Sequence, residues 1–548
     1  MSARITTEFG QAVPPAPRHA VTVHMGSEWA NAVKFGADAP SVVAKFKNTY
    51  PRTRPHRDIA QLSKAVLEHI GSTGKACLLF PSLQSAKQCV EYATSSKRDD
   101  GIDKRPLVAE ELTIRAFVAK DPFLAVIFPS EKYRVVAGFW STVGAGITSR
   151  FAEANLAHLD KLREVSTQEA ETDRANFDSP VHETLRQRIL SLLTRAPLNP
   201  NLPSTVTAND IYLYQSGMAS IYKTHSYMLS HHQGASVLFG MAFMDTLTTL
   251  EQFGPESKFL GSGSDEDILE LEAYLRDSRD KGRKVQAIWV EFPANPLLVC
   301  PDIAQLRKLA TKYGVVLGID DTIGSWANID VIGMADILVT SITKSFNGYA
   351  DAIGGTAILN PASPKYNELK PIFDARYVSE FYVDDAETIE RNSRDYLARS
   401  AKLNNNASAV VEYLHSRAQD PESAVHRIHY PSLNHSGDNY RCFMRPETPD
   451  FTPGYGCVFS VELDDLDTAR AFYDNLNVHK SVHLGAPFTL AFAYTICAYQ
   501  KRLDWAAQFG LKPTQIRISV GLEDTDTLVE DFRVAVEAAD EAKNLAPN

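Results

Sequence analysis

The residues best suited to covalent chemistry in this sequence surround Lys344. That lysine follows the apolar run Ile337–Thr340 and stands beside two hydroxyl residues, Ser341 and Thr343. Asp320 lies twenty-four positions upstream, at the end of another β-rich run. A lysine amine can condense with an aldehyde, hydroxyls can hold a phosphate, and a carboxylate at a neighbouring strand end can keep a pyridine nitrogen protonated. This pairing predicts a pyridoxal 5'-phosphate site that does carbanion chemistry on an amino acid.

Taken alone, the tetrapeptide Ser341–Lys344 is equally compatible with an ordinary loop lysine after a buried strand. Its context favours the cofactor site. Gly348, Gly354 and Gly355 follow where a backbone must turn tightly or pass close to a ligand. Together with Asp320, these glycines favour a reactive lysine over a solvated one.

A second phosphate-binding element is predicted where the apolar run Ile211–Tyr214 meets a glycine turn. The turn, Gln215–Met218, opens a predicted helix whose first amides have no partners within the helix. Gly217 lets the backbone approach an anion closely. The amides of Gly217 and Met218 are therefore expected to cradle the cofactor phosphate together with the two hydroxyls beside the lysine. By itself such a turn is typical of any strand-to-helix connection.

Strand ends bring these groups to one edge of a predicted sheet. Ala287–Val290 is typical of a buried strand and runs into the loop Glu291–Pro296. Asp302–Gly314 has the cap, the apolar spacing and the glycine stop of a helix, and Val315–Ile319 is the next strand, which leads to Asp320. Strand, helix and strand of this length form a right-handed parallel unit, and ligands bind at the carboxyl ends of such strands.

Composition and charge exclude several classes of function. With 548 residues, 44% of them hydrophobic, the chain can bury a large core in two or three domains. The net charge is −11 without a basic stripe, which disfavours nucleic acid and anionic membranes as partners. Six cysteines without a Cys-x-x-Cys pair suggest neither a metal site nor disulfides. Because no signal peptide or apolar run of about eighteen residues is present, a cytoplasmic protein is expected.

Five segments together resemble the Cys/Met-metabolism group of pyridoxal-phosphate enzymes. They are Ser216-Gly217-Met218-Ala219, Glu291-x-Pro293-x-Asn295-Pro296, Ile319-Asp320-Asp321-Thr322, Ser341-x-Thr343-Lys344 and the run from Arg517 to Asp524. Within the group, the long N-terminal region with Phe139-Trp140 and 146–153 is most similar to the fungal cystathionine γ-synthases. The resemblance is specific over residues 130–530 and looser over 19–130.

The resemblance implies an α/β protein with the type I aminotransferase-like pyridoxal-phosphate fold. This fold has a mostly parallel central sheet, and here we expect an α+β C-terminal domain and a long N-terminal region as well. The implied divisions are an N-terminal extension and interface region at 1–204, a cofactor-binding large domain at 205–385 and a small domain at 386–548. The resemblance also implies amino-acid substrates and a homodimer or homotetramer whose active sites are shared between subunits.

Site roles follow from the resemblance position by position. Lys344 would be the Schiff-base lysine and proton shuttle, and Asp320 would pair with the pyridine nitrogen. Asn295 would lie near a cofactor oxygen and the substrate carboxylate. Arg517 would bind that carboxylate as a two-pronged donor.

Two arginines compete for the family position that reaches the phosphate from a neighbouring subunit. Tyr50-Pro51-Arg52, followed by the helical run Ile59–Ile70, matches a Tyr-x-Arg motif. Arg150 lies nearer the glycine turn, with a predicted helix at Leu185–Leu193 between them. Because the matching segment around it is longer, Arg150 is the preferred ligand of the phosphate and Arg52 the alternative.

Two positions depart from the family pattern. Phe243 stands where the family has a tyrosine that stacks on the cofactor ring and handles protons, and phenylalanine stacks but cannot titrate. His483 stands where the family has a serine near the substrate carboxylate, so volume and pH behaviour both change. Phe243 is expected to touch the cofactor and His483 the substrate, although His483 is also compatible with an ordinary loop histidine.

The activity implied by the resemblance is γ-replacement on an O-acylated homoserine. Cysteine is the nucleophile and cystathionine the product, a trans-sulfuration step of methionine biosynthesis. The two departures leave open a diverged enzyme that uses another nucleophile, and a non-catalytic scaffold. Retention of Lys344, Asp320, Asn295 and Arg517 favours an enzyme, because a scaffold has no need of a deprotonatable lysine that faces a carboxylate.

Overall fold

The computed structural model describes residues 4–98, 105–174, 178–199 and 205–545, which form three β-sheets in chain order. The sheets have four, seven and five strands. Helices separate most of the strands of the second sheet. In the described part of the chain, no helix has both the length and the apolar character needed to cross a bilayer.

The N-terminal region begins with two short helices and continues into an antiparallel sheet. Its elements are α1 (Trp29–Ala37), α2 (Ala39–Val43), α3 (Arg57–His69), β1 (Lys75–Phe80), α4 (Leu83–Thr94), β2 (Thr113–Val118), β3 (Pro122–Pro129), α5 (Tyr133–Val143), α6 (Ser149–Leu156), β4 (Arg163–Val165), α7 (Thr167–Arg174) and α8 (Pro180–Leu193). The strand order is β1-β3-β2-β4. All but the last residue of β3 are buried, because it is an apolar run at the centre of this sheet.

The central region carries the seven-stranded sheet. Its elements are β5 (Ile211–Tyr214), α9 (Gly217–His232), β6 (Ala235–Phe239), α10 (Met244–Phe253), β7 (Ser257–Leu260), α11 (Asp265–Asp280), β8 (Val285–Glu291), α12 (Ile303–Tyr313), β9 (Val316–Asp320), α13 (Ser325–Asn328), β10 (Ile337–Thr340), β11 (Gly355–Leu359), α14 (Tyr366–Arg376) and α15 (Val383–Asn392). The order is β5-β11-β10-β9-β8-β6-β7. Only β11 runs antiparallel to its neighbours, which confirms the predicted mostly parallel sheet.

Local sequence explains why the elements of the central region form where they do. The side chain of Asp302 accepts a hydrogen bond from the amide of Gln305 at 2.9 Å and so begins α12. Gly314, at a φ of 69°, ends that helix in the left-handed conformation that favours glycine. The sequence predicts both ends of α12. The strand expected at Val315–Ile319 is shifted by one residue, to Val316–Asp320.

The C-terminal region forms an α+β unit, as expected. Its elements are α16 (Tyr396–Ala418), β12 (Val425–His429), α17 (Gly437–Phe443), β13 (Val458–Leu463), α18 (Leu466–Asn475), β14 (His479–Lys480), β15 (Leu490–Phe492), α19 (Tyr494–Tyr499), α20 (Leu503–Ala507), β16 (Gln515–Ser519) and α21 (Thr525–Leu545). The strand order is β12-β13-β16-β15-β14, and only β14 and β15 are parallel neighbours. The domain boundaries at 204/205 and 385/386 stay a prediction.

Residues 5–54, which we call the N-terminal strap, pack on this C-terminal unit. Val23, Met25 and Trp29 of the strap belong to the same buried apolar cluster as the C-terminal sheet and helices. The backbone amide of Met25 donates to the carbonyl of Lys480 at 2.8 Å. The strap thus begins the sequence but shares its core with the end of the chain.

Candidate active site

A cavity of about 340 Å³ lies at the carboxyl edge of the central sheet. The segments that follow β5, β6, β8, β9 and β10 all reach it, since the carboxyl ends of parallel strands meet at one edge. They place seven of the predicted site residues on its wall: Gly217, Met218, Phe243, Asn295, Asp320, Ser341 and Lys344. The C-terminal sheet adds Arg517, and the N-terminal strap adds Tyr50 and Arg52.

Lys344 lies in the turn after β10 and contacts Tyr50. Its Nζ is 3.4 Å from the hydroxyl oxygen of Tyr50 and 5.0 Å from the centre of that ring. Desolvation lowers the pKa of Lys344, and the cations Arg52 and Arg517 lower it further against the opposing effect of Tyr50. A lowered pKa raises the fraction of neutral amine, which is the form that attacks an aldehyde.

Asp320 ends β9 and pairs in register with Glu291, the last residue of β8. Its Oδ1 accepts hydrogen bonds from the amide and the hydroxyl of Thr322, at 3.0 and 2.5 Å. Burial raises the pKa of Asp320, and burial together with the Asp320 charge raises the pKa of Glu291 well above its usual value. Asp320 and Glu291 are thus two adjacent acids on one wall of the cavity. A carboxylate in this position would stabilise a protonated pyridine nitrogen that bound next to Asp320.

Gly217 and Ser341 form a cradle at the first turn of α9. The hydroxyl of Ser216 caps this helix by accepting from the amide of Ala219 at 3.0 Å. A Cβ added to Gly217 would lie 2.6 Å from the Cβ of Ser341, so a side chain at that position cannot be accommodated without movement. The N-terminus of a sixteen-residue helix behind this cradle suits a phosphate.

Arg52, the alternative ligand, lies on the cavity, and Arg150 does not. Arg52 Nη1 donates to Asp245 Oδ2 at 2.7 Å, and its guanidinium lies 5.2 Å from the centre of the Phe243 ring. Arg150 instead donates to Asp385 Oδ1 at 3.0 Å, on α15. Within one chain, the structure brings Arg52 and not Arg150 to the described cavity wall, and the preference for Arg150 as a ligand supplied by a neighbouring subunit stays a prediction.

Thr343 is also directed away from the cavity. Its hydroxyl donates to the carbonyl of Gly354 at 3.1 Å and accepts from the amide of the same glycine at 3.0 Å. The residue is buried. Thr343 therefore fixes the turn that carries Lys344, and Ser341 is the hydroxyl that the structure brings to the cradle.

Arg517 and Asn295 form the polar end of the cavity. Arg517 Nη1 donates to Asn295 Oδ1 at 3.1 Å, and Nη2 donates to the carbonyl of Val482 at 2.7 Å. Asn295 Nδ2 in turn donates to the hydroxyl of Tyr494 at 3.1 Å. Arg517 is buried, which lowers its pKa, and it makes no ion pair within the described ranges. A buried, oriented guanidinium without its own carboxylate suits an anionic group of a ligand.

The two departures from the family pattern occupy different places. Phe243 lies on the cavity wall, and its amide donates to Glu291 Oε2 at 2.7 Å. His483 is buried behind the wall that Val482 and Leu484 form, with its ring centre 6.2 Å from that of Tyr50. Burial, reinforced by Lys344 and Arg517, lowers the pKa of His483 well below its usual value, so the imidazole is neutral.

Sequence reasoning misses three residues of the site. The sequence analysis names Glu291 only as part of a motif and gives it no role in the site. Its position at the end of a predicted strand could have identified it as a candidate. Asp245, which pairs with Arg52, lies in the first turn of α10, two positions after Phe243. Tyr494 has no signal, because it reaches Asn295 from a helix 199 positions away.

The comparisons with known proteins define the class of the protein. Residues 167–537 match the family described as Cys/Met metabolism PLP-dependent enzymes. Residues 58–148 match the N-terminal domain of fungal trans-sulfuration enzymes. The chain therefore belongs to the pyridoxal-phosphate-dependent Cys/Met metabolism family, and pyridoxal phosphate is its cofactor.

Within that family, the chain is similar over nearly its full length to fungal proteins of several descriptions. It is 32% identical to the cystathionine gamma-synthase-like enzyme iboG2 of Amanita muscaria, over 98% of this chain and 97% of the relative. It is 32% identical to the alanine racemase ungC of Aspergillus violaceofuscus, over 96% of both chains. It is 31% identical to the cystathionine gamma-synthase of Neurospora crassa, over 97% and 99%.

A solved structure supports the fold. Cystathionine gamma synthase from Xanthomonas oryzae pv. oryzae in complex with cystathionine superposes with a TM-score of 0.55 and 21% identity, covering 68% of this chain and 88% of that one. The expected type I fold is thereby confirmed.

Proposed function

We propose that the protein catalyses γ-replacement on an O-acylated homoserine, with the thiol of cysteine as nucleophile and cystathionine as product. One observation carries the proposal: Lys344, Asp320 and the Arg517–Asn295 pair all face a single cavity. The similarity to a fungal cystathionine gamma-synthase supports it. Such a reaction would serve trans-sulfuration on the route to methionine.

The residues on the wall fit both cofactor and substrate. Gly217, Met218, Ser341 and Arg52 would hold the phosphate, and Asp320 would keep the ring nitrogen protonated. Bound pyridoxal phosphate supplies an electron sink next to the substrate Cα. The Arg517–Asn295 pair would bind the substrate carboxylate and orient its Cα–H bond.

Proton transfers would centre on Lys344. Its neutral amine would remove the Cα proton, and removal of a Cβ proton would expel the acyl group from Cγ as a carboxylate. The thiolate of the second substrate would then form the new bond at Cγ, and the two protons would return to Cα and Cβ. Each transfer needs a group that can give or take a proton within hydrogen-bond reach of the lysine. Phe243 cannot do this, because its side chain has no donor or acceptor.

Tyr50 is the phenol placed to share these protons. Burial alone would raise its pKa, but Lys344 and Arg52 outweigh that effect and the pKa of Tyr50 is lowered. A phenol with a lowered pKa beside the reactive amine can hold a proton that the amine has released. The non-catalytic scaffold is therefore the weaker interpretation of this site.

A second candidate is a diverged γ-replacement enzyme that takes an apolar nucleophile. One part of the cavity wall is apolar and comprises Phe35, Met244, Phe492, Cys497 and Ala498. Of the cations on the described wall, Arg52 is paired with Asp245, while Lys344 is the reactive amine and Arg517 the ligand of the substrate carboxylate. No described wall cation remains for the carboxylate of a second amino acid.

The test is a substrate panel on the protein reconstituted with pyridoxal phosphate. O-acetyl- and O-succinylhomoserine are each supplied with cysteine, with an alkyl thiol and without a nucleophile, and products are measured by mass spectrometry, with Lys344→Ala as the inactive control. Cystathionine formation supports the first proposal. Transfer to the alkyl thiol without cystathionine supports the second. Proton exchange at Cα in D₂O without loss of the acyl group would contradict both and indicate racemase-type chemistry.

A further inference from the structure

Two aromatic rings lie against the guanidinium of Arg517. Its Cζ is 5.2 Å from the centre of the Tyr494 ring and 5.5 Å from the centre of the Phe492 ring. The two rings meet edge-on, with their centres 5.8 Å apart, and both lie on the cavity wall. We call this pair of rings the aromatic cage.

The strand register and the helix that follows it explain the position of the cage. Phe492 ends β15 and is the direct neighbour of Arg517 on β16. The chain then enters α19, whose first residue is Tyr494. Residues two positions apart in extended backbone point to the same side, so both rings reach the same guanidinium.

The cage stabilises the guanidinium in a different way from an ion pair. A buried charge is costly unless another group compensates it. A carboxylate would compensate the charge but would also occupy the N–H groups that a ligand needs, whereas a ring face attracts a cation through its quadrupole. The described hydrogen bonds of Arg517 go to neutral oxygens, those of Asn295, Val482 and His483. They use at most three of its five N–H groups, so others are available to an anionic ligand.

The hydroxyl of Tyr494 acts on Asn295. Because a guanidinium has no acceptor, the amide of Asn295 must turn Oδ1 towards Arg517 and Nδ2 away from it. Nδ2 donates to the Tyr494 hydroxyl at 3.1 Å, which fixes the amide in this orientation. Burial raises the pKa of Tyr494 well above its usual value, so the phenol stays neutral and does not pair with Arg517 as an anion.

We propose that Phe492 and Tyr494 are positioning residues for recognition of the substrate carboxylate. Their rings keep the Arg517 guanidinium charged without a counter-ion, and the Tyr494 hydroxyl sets the orientation of Asn295. This inference rests on the role of Arg517 in the proposed function. It does not depend on the leaving group or on the nucleophile.

The experiment compares two amines that differ in a carboxylate. Aminooxyacetate has one, and O-methylhydroxylamine does not. In both, the nitrogen of the –ONH₂ group replaces Nζ of Lys344 at the aldehyde carbon of the cofactor. A new C=N bond forms, the bond to Nζ breaks, and the two protons of the probe pass to the released lysine amine. Loss of the lysine-bound absorption band gives the two rate constants, and their ratio measures carboxylate recognition separately from turnover.

The variants separate the ring from the hydroxyl. Tyr494→Leu removes both, Tyr494→Phe removes the hydroxyl alone, and Phe492→Leu removes the other ring. Phe509→Leu is the matched control, because this phenylalanine of the same region packs on Trp505, with ring centres 5.1 Å apart. Arg517→Gln gives the ratio expected when the guanidinium is absent.

We expect the ratio to fall about tenfold in Tyr494→Leu and in Phe492→Leu. A smaller loss is expected in Tyr494→Phe, and the control should keep the wild-type ratio. An unchanged ratio in both leucine variants would overturn the proposal. An equal loss of rate with both probes would overturn it too, because the rings would then control access to the lysine rather than the carboxylate. If Tyr494→Leu does not fold, Phe492→Leu and Tyr494→Phe provide the same test.

Arg517→Gln distinguishes failure of this inference from failure of the proposed function. If that variant keeps the wild-type ratio, Arg517 is not the ligand of the carboxylate, and the role of the cage is rejected together with that part of the proposed function. If Arg517→Gln loses the preference for aminooxyacetate while the leucine variants at 492 and 494 keep it, Arg517 retains its proposed role and the cage alone is rejected.

Discussion

The hydroxyl oxygen of Tyr50 lies 3.4 Å from Nζ of Lys344, although 294 positions separate the two residues in the chain. The contact joins the N-terminal strap to the turn after β10. It also places a titratable phenol beside the amine that we propose as the Schiff-base lysine, in a site where Phe243 cannot carry a proton. The immediate surroundings of the lysine amine therefore include a segment that is remote from Lys344 in the sequence.

This contact gives a prediction about pH. Tyr50 raises the pKa of Lys344 against the larger effect of desolvation, so Tyr50→Phe should lower that pKa further. At a given pH more of the lysine is then neutral, and the midpoint of the pH dependence of cofactor uptake by the apo protein moves to lower pH. Stopped-flow absorbance measures the uptake. The control is Tyr349→Phe, at an exposed tyrosine five positions after Lys344, and it should leave the midpoint unchanged. A midpoint that moves to higher pH in Tyr50→Phe would contradict this account.

Replacing the reactive lysine should abolish the absorption band of the lysine-bound cofactor. Lys344→Ala is expected to lose this band near the blue edge of the visible spectrum and to yield no borohydride-fixed cofactor. Lys64→Ala, at an exposed lysine, serves as the control and should keep both signals. An unchanged band in Lys344→Ala would show that another lysine anchors the cofactor.

Asp320→Asn tests the carboxylate at the ring nitrogen. Loss of the charge should reduce turnover by on the order of a hundredfold while the cofactor stays bound. The neighbouring Asp321→Asn is the matched control, because Asp321 bonds the hydroxyl of Thr340 and is absent from the described cavity wall. A loss of turnover confined to Asp321→Asn would reverse the assignment of the two acids.

Gly217→Ala should weaken binding of the phosphate in particular. The added methyl would lie 2.6 Å from Cβ of Ser341 and force the cradle open. We expect affinity for pyridoxal phosphate to fall about tenfold or more, and affinity for pyridoxal, which lacks the phosphate, to change little. Gly333→Ala, where a Cβ meets no atom within 4 Å, controls for the substitution itself. Equal losses for both ligands would place the phosphate elsewhere.

The double variant Phe243→Tyr with His483→Ser should move the enzyme towards cystathionine formation. Each restored hydrogen bond to a charged group is worth roughly 1.5 to 3 kcal/mol, which corresponds to about a tenfold to hundredfold gain in rate. Phe243 lies on the wall and His483 behind it, so Phe243→Tyr alone should give most of the gain. The measurement is cystathionine from O-acetylhomoserine and cysteine at equal cofactor loading. If the native protein forms cystathionine as fast as the double variant, then Phe243 and His483 do not limit this reaction.

Four of the seven strands of the central sheet, β5, β8, β9 and β10, are predictable from the sequence because their signals are local. Buried parallel strands are short apolar runs, and α12 carries its own cap and stop at Asp302 and Gly314. The groups at the strand ends follow from the same pattern, since parallel strands deliver their carboxyl ends to one edge. The pattern alone is therefore enough to bring Lys344, Asp320 and Gly217 together.

The rest of the site depends on contacts that sequence spacing does not encode. Within one chain, Asp385 holds the side chain of Arg150 and Asp245 holds that of Arg52, and neither pairing can be read from the spacing in the sequence. The hydroxyl of Thr343 is occupied by a backbone partner, Gly354, that only the folded turn brings near. Contacts of this kind, whether between distant residues or within one irregular turn, leave no periodic or motif signal in the sequence.

The N-terminal strap also sets an order of events during synthesis. Its residues leave the ribosome first, whereas the surface that covers Val23, Met25 and Trp29 is completed only with the last part of the chain. At roughly 5–20 residues per second, the ~420 residues between the strap and that surface take about 20 to 80 seconds to translate. Throughout this interval the apolar face of the strap has no native partner, and the cavity lacks Tyr50, Arg52 and Arg517 in their final positions. Because the cavity wall combines Tyr50 and Arg52 with Arg517, the cofactor site can be completed only after almost the whole chain has been made.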